Sequence, residues 1–286
     1  MRRSWILLAA LLVVTPIHAG DAKIKTEKKL VYGKADDVDL ELDLAMPADG
    51  KGPFPAIVCI HGGGWKAGNR KDLTALTEHF AKHGFVAVTV SYRFAPKYKF
   101  PAQIEDCKAS VRWLRANAEK YKINPDRIGA VGFSAGAHLS CLLGAADEKA
   151  GLEGKGGNPK QSTKVQAVVS FFGPTDFTQK TWSKDIENIF FVPFLGGTFE
   201  EKKDAYRQCS PIVYCTKDAP PFLFFHGTKD PLVGIVHSEK MAKKLTDLGV
   251  SAELVTMQGD GHGWGGDKLT KTIDQTTRFF KDKLQK

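Results

Sequence analysis

Six short apolar runs punctuate this chain: "FPAIVCI", "GFVAVTVSY", "RIGAVGF", "VQAVVSFF", "PPFLFFHG" and "SAELVTMQ", each closed off by glycine, proline or charge. They are rich in valine and phenylalanine and show no polar face. That texture predicts strands buried on both sides, as in a parallel sheet covered by helices. Between the runs the period changes to that of a helix. "KDLTALTEHFAKHG" ends at Gly84, and "PAQIEDCKASVRWLRANAEKY" sets Ile104, Cys107, Val111, Leu114 and Ala118 on one face. "VHSEKMAKKLTDLG" stops at Gly249, and "LTKTIDQTTRFFKDKL" carries Leu269, Ile273, Phe280 and Leu284. Strands alternating with helices of this length imply right-handed crossovers and an α/β architecture. Two opening strands, "KIKTEKKLVY" and "VDLELDLAMP", bring the expected sheet to eight; the second alternates Val38, Leu40, Leu42 and Leu44 with acids, as in a half-exposed strand.

Two stretches break the alternation. "ADEKAGLEGKGGNPKQST" is rich in glycine and lysine and reads as an exposed loop. The segment from about 175 to 216 is too long for a connector and contains "NIFFVPFLGG", so it is expected to be a cap or insertion over the C-terminal edge of the sheet. Its Phe190, Phe191, Phe194 and Leu195 either pack simply or meet an acyl chain. The remainder, residues 20–286, reads as one domain, and a 42% hydrophobic content is enough for a full core.

The N-terminal residues differ in kind. Arg2 and Arg3 lead into the apolar "WILLAALLVV" and then "TPIHAGD", with Ala19 small enough for a cleavage position. This order predicts a signal peptide over 1–19 and a secreted or periplasmic product, since an apolar stretch of that length falls short of the roughly 20 residues a bilayer span needs. The formal charge of +9 becomes +7 once Arg2 and Arg3 are removed. Lysines are scattered among acids, as in "KIKTEKK", and no aromatic-basic platform for nucleic acid is evident. A solvated basic surface accounts for the charge. Of the five cysteines, Cys59, Cys107 and Cys141 sit at core-like positions, whereas Cys209 and Cys215 flank a loop-like stretch that an oxidising compartment could bridge or leave reduced.

One junction stands out chemically. In "RIGAVGFSAGAHLS" a serine, Ser134, lies between Gly132 and Gly136 where a strand gives way to a helix. Such a turn lifts the hydroxyl above the sheet edge and aims the first helical N–H groups toward whatever the hydroxyl attacks. A G-x-S-x-G match alone arises by chance in roughly one chain in ten of this length, so its partners decide its meaning. A serine needs a base oriented by an acid. "MQGDGHGWGG" offers His262 after the last strand, and "FLFFHGTKDPLV" offers Asp230 in the turn after the strand before it. Asp176 is the alternative acid and Asp260 a weaker one; His61 reads as shaping its loop, His226 and His138 as structural, and His79, His83 and His237 as surface residues. The three glycines of "CIHGGGWKAGN" leave backbone N–H groups open to an oxyanion, which assigns Gly63, Gly64 and Ala135 as donors, with Trp65 and Trp264 as pocket walls. A phosphate-cradling loop is the competing reading of "GGG", but the G-x-x-x-x-G-K-[ST] pattern is missing.

With these residues placed, "HGGGW", "SYRFAP", "FPAQIEDCKASVRWLRANA", "NPDRIGAVGFSAGAHLS", "FFGPTD", "SPIVY", "PPFLFFHGTKDPLV" and "GDGHGW" follow in the order seen in α/β-hydrolase esterases. The chain resembles the hormone-sensitive-lipase-like group and the bacterial feruloyl and acetyl-xylan esterases. The resemblance implies the α/β-hydrolase fold, Ser134 as nucleophile, His262 as base and Asp230 as acid, and Arg93 with Asp106 as a structural pair beneath the site. It implies neither metal nor organic cofactor. Its expected substrates are small or carbohydrate esters with short or aromatic acyl groups, acetyl or feruloyl among them. An arylformamidase or peptidase of the same fold, or an inactive fold kept for binding, are the readings it must displace. The sequence departs from the pattern at Ala137, where relatives often carry a second glycine.

Overall fold

The computed structural model describes residues 22–285; the signal peptide expected over 1–19 lies outside them. All eight anticipated strands form: β1 (Ile24–Ala35), β2 (Val38–Pro47), β3 (Phe54–Ile60), β4 (Val86–Val90), β5 (Ile123–Phe133), β6 (Ala167–Phe171), β7 (Phe222–Gly227) and β8 (Ala252–Met257). They hydrogen-bond into one sheet in the order β1-β2-β4-β3-β5-β6-β7-β8. β1 pairs with β2 and β2 with β4 antiparallel, and every pair from β4 to β8 is parallel. This is the α/β-hydrolase fold.

Helices on both faces explain the unbroken apolar strands. Residues pointing one way from β3, namely Ala56, Val58 and Ile60, pack with Ile104, Cys107 and Val111 of the helix Ala102–Ala116 and Leu139 and Leu142 of the helix Ala135–Ala145. Met241 and Leu245 of the helix Val236–Asp247 complete this layer. The alternate residues Ile57 and Cys59 face Leu76 and Phe80 of the helix Thr74–Lys82 and Ile273, Phe280 and Leu284 of the helix Gly266–Leu284. Each such aromatic or branched side chain, fully withdrawn from water, contributes about 1.5–3 kcal/mol before the entropy of ordering the chain is subtracted.

Two expectations need correction. β8 is only partly buried, with Glu253 and Thr256 turned to solvent, because it is the sheet edge and no strand lies beyond it. In β2, Asp43 is buried and does not face water; its Oδ1 accepts from Arg70 Nε at 3.0 Å and from the Lys29 N–H at 2.8 Å. The loop over 146–163 is mostly exposed, as expected, and is anchored to the domain at one side. Lys108, itself buried, holds Glu153 at 2.5 Å, and the Arg112 guanidinium donates to the carbonyls of Glu153, Gly156 and Gly157. Of the two outcomes left open for Cys209 and Cys215, the structure has the reduced one: they are separate buried thiols, the first directed to the Tyr206 carbonyl and the second to that of Pro211.

The segment over 175–216 contributes no strand and folds back in short helical turns. Phe177, Phe191 and Phe194 from it surround Trp65, with Phe194 stacked on the indole at a 4.2 Å centroid distance. Among the described residues no helix is long and apolar enough to cross a membrane.

Candidate active site

The C-terminal ends of the parallel strands converge, as they must in a sheet whose helices all return on its flanks, and the loops there hold the polar groups. The loop after β3 carries His61–Trp65, Ser134 directly follows β5, Phe172 directly follows β6, β7 leads to Asp230 and β8 to His262.

Ser134 has φ +53° and ψ −119°, a conformation a non-glycine residue rarely adopts, and the surrounding backbone maintains it. Its N–H donates to the Phe171 carbonyl at 2.9 Å, and its carbonyl accepts from His138 N–H at 3.0 Å. The two flanking glycines are steric necessities. A Cβ on Gly132 would lie 2.1 Å from the Gly136 carbonyl oxygen, and one on Gly136 would lie 2.1 Å from that of Ile60. The helix Ala135–Ala145 is thereby seated directly against the end of β3, which brings Ser134 beside the glycine loop.

His262 Nε2 stands 2.8 Å from Ser134 Oγ, and His262 Nδ1 stands 2.7 Å from Asp230 Oδ2. The sequence-predicted serine, histidine and acid are therefore brought together. Asp230 is fully buried at its side chain, yet every nearby group favours its charge. Oδ1 accepts the N–H groups of Leu232 and Val233, both at 2.9 Å, while His226 Nε2 lies 3.4 Å from Oδ2. Burial alone would raise its pKa; the hydrogen bonds from His226 and His262, the attraction of the His262 ring and the Val233 amide outweigh that and hold the carboxyl well below the usual carboxylate range. Asp230 is thus ionised at neutral pH and accepts the Nδ1–H of His262, which leaves Nε2 free to take a proton from the hydroxyl.

The competing residues are engaged elsewhere. Asp176 accepts the N–H and hydroxyl of Thr178, at 2.9 and 2.6 Å, and faces Lys240. Asp260 pairs with Lys268 at 2.7 Å. His226 is buried, bonded to Ser238 Oγ and the Val233 carbonyl. His138 is buried between the Trp65 indole and the Cys209 carbonyl, and burial depresses its pKa to about 4. His79 and His237, expected at the surface, are buried as well: the first meets Thr277 Oγ1 from the C-terminal helix, and the second accepts the N–H groups of Thr175 and Asp176.

Gly63 and Gly64 have φ of +112° and +60°, and the Gly63 carbonyl accepts from the N–H groups of Lys66 and Ala67. Ala135 opens the helix behind Ser134, so its N–H belongs to the first turn, where no intrahelical acceptor exists. A Cβ on Gly64 would strike the Phe190 ring at 2.6 Å. Phe190 therefore covers the glycine loop directly, while Phe191 and Phe194 are core residues.

Trp65 and Trp264, expected as pocket walls, are buried side chains. Trp65 is 2% exposed, with its Nε1–H spent on His138, and Trp264 is 9% exposed, with its Nε1–H on Thr272 Oγ1. Both support the site from beneath. A residue that sequence reasoning missed is Phe172. It sits at φ +45° just after β6, and its ring meets the edge of the His262 ring at 4.7 Å and the Trp264 ring at 5.5 Å. A left-handed phenylalanine carries no periodic signal that could have revealed it. Arg93 and Asp106 do pair, in a bidentate contact with Nη2–Oδ1 at 2.7 Å and Nε at 3.0 Å from both oxygens.

A family description, BD-FAE, matches residues 42–245, from within β2 to the helix before β8. The chain belongs to the BD-FAE family. The matched span contains Ser134 and Asp230, and His262 lies beyond its end. Among curated proteins, Esterase LipC of Mycobacterium tuberculosis is 31% identical over 250 residues, which cover 83% of this BD-FAE chain and 59% of LipC. The chain spans about half the length of the curated relatives it matches. Among solved structures, a truncated carbohydrate esterase from gut microbiota is 29% identical with a TM-score of 0.80, over 94% of this chain and 99% of that one. An esterase from Thermogutta terrifontis, with propionate bound, is 28% identical with a TM-score of 0.75, over 91% and 94%.

Proposed function

We propose that this BD-FAE protein is a carboxylic ester hydrolase working through an acyl-enzyme on Ser134. The observation that carries the reading is the continuous relay from Ser134 Oγ through His262 to a buried, ionised Asp230. As Oγ attacks the ester carbonyl carbon, His262 Nε2 takes its proton, and Asp230 stabilises the imidazolium that forms. The carbonyl oxygen becomes an oxyanion served by the N–H groups of Gly63, Gly64 and Ala135, each such donor being worth about 100- to 1,000-fold in turnover. Collapse expels the alcohol, protonated by Nε2–H. Water, deprotonated by the same nitrogen, then releases the acid and restores the serine.

The esterase names of the relatives support the reaction class, and the carbohydrate esterase among the structural neighbours favours acetyl or feruloyl groups on plant-type polysaccharide as substrate. Export to the periplasm or medium, which rests on the leader over 1–19, fits extracellular esters of that kind. Hydrolysis of 4-nitrophenyl acetate by wild type and S134A tests the reaction; the variant should lose about 10,000-fold or more. Equal rates in the two proteins would remove Ser134 from the chemistry. A panel of acetylated and feruloylated xylo-oligosaccharides against simple acyl esters then ranks substrates, and a preference for the simple esters would count against the carbohydrate assignment.

A further inference from the structure

A groove of about 450 Å³ opens beside the glycine loop, lined by Lys66, Pro96, Lys99, Val192, Pro193 and Gly196. Its size suits a sugar or a molecule of similar bulk. It adjoins the site by a short physical chain. Lys66 directly follows Trp65 of the glycine loop, its ammonium lies 5.1 Å over the Phe190 ring, and that ring covers Gly64. The two walls are tied together by the Phe100 N–H, which donates to the Phe194 carbonyl at 2.9 Å, and the stem of Lys99 rests against Gly196.

The lining contains two lysines and no acid. Lys66 Nζ donates to the Ile189 carbonyl at 2.6 Å, which orients the ammonium but leaves its charge unneutralised. Lys99 Nζ has no carboxylate partner among the described residues. Glu187 is taken by Lys180 and the Phe199 N–H, Glu201 by the N–H and hydroxyl of Thr198, and Glu200 by Lys203. The neighbouring Lys97 differs, facing Asp37 at 3.8 Å. Two cations without a carboxylate partner on the lining of one largely apolar groove favour a negative charge within it.

We infer that the preferred ester carries a second, anionic substituent, a carboxylate or phosphate remote from the scissile bond, which this groove receives between Lys66 and Lys99. The inference rests on the esterase reading above and narrows its substrate class. The probes are a mono-acetylated methyl glucoside, the corresponding glucuronide with a free carboxylate, and the corresponding glucoside 6-phosphate. Wild type should show kcat/KM about tenfold higher on at least one charged ester than on the neutral one, and the larger of the two ratios identifies the anion. The ratio should fall toward one in K66Q/K99Q and, in wild type, as salt is raised. A charged-to-neutral ratio near one in wild type, or a raised ratio that the double variant leaves in place, overturns the inference while the esterase reading stands. Hydrolysis of none of the three, nor of 4-nitrophenyl acetate, overturns both.

Discussion

Replacing Trp65 with phenylalanine separates a supporting role from a substrate-contacting one. A carbonyl only accepts, so the 2.7 Å contact of His138 Nε2 with the Cys209 carbonyl places the ring proton on Nε2. Nδ1 is then an acceptor, and its donor is the Trp65 indole N–H at 3.1 Å. Phenylalanine preserves an aromatic ring against Phe194 but leaves that buried nitrogen unpartnered, at a cost of about 1–3 kcal/mol, with about 1 kcal/mol more for the lost ring volume. For a chain of this size each kcal/mol lowers the melting temperature by about 2–4 °C, so W65F should melt about 4–16 °C lower. In a His138→Leu background the same substitution should cost less by the hydrogen-bond share, about 1–3 kcal/mol. Circular dichroism melts of the four proteins, with ester kinetics on each, make the measurement. A W65F protein that melts within about 2 °C of wild type while its KM rises severalfold would refute the argument and return Trp65 to the pocket wall.

Asp230→Asn should lower kcat by about 10,000-fold with little change in KM, whereas Asp176→Asn should stay within about threefold of wild type; the reverse ranking in a 4-nitrophenyl ester assay would move the acid. Gly132→Ala pushes a methyl group into the Gly136 carbonyl, so soluble yield and melting temperature should collapse, and a folded, active variant would contradict the close approach described. His79, His138 and His237 are held neutral by burial at pKa values near 4, below the unfolded value near 6.5. Their stabilisation is complete above pH 6.5 and is lost as pH falls toward 4, because the unfolded chain binds protons the folded one does not. Urea titrations across that window should show stability falling with a slope of up to about 1.4 kcal/mol per pH unit per histidine, and H79Q should remove one histidine's share; a flat profile would contradict it.

The strands were legible because burial on both faces writes itself as consecutive apolar residues, and the relay was legible because Ser134, Asp230 and His262 each follow such a run. What escaped was set by contacts across the chain. His79 looks like a surface residue on its own helix, and the C-terminal helix, which brings Thr277 to its ring, buries it. The exposure of the loop over 146–163 could be read, but not its anchoring, since Lys108 and Arg112, some 45 residues earlier, take its carboxylate and carbonyls. Trp65 and Trp264 were misplaced for the same reason, since an indole beside a glycine-rich loop gives no local sign of which way it turns.

One edge of the Phe190 ring stands over Gly64, and Lys66, two positions further on, grips the backbone next to Phe190. A substitution at Phe190 that reshapes the entrance therefore also touches the backbone of Gly64, one of the amides proposed to meet the reacting carbonyl. Selection for a new ester at this doorway would surface as altered turnover as much as altered affinity.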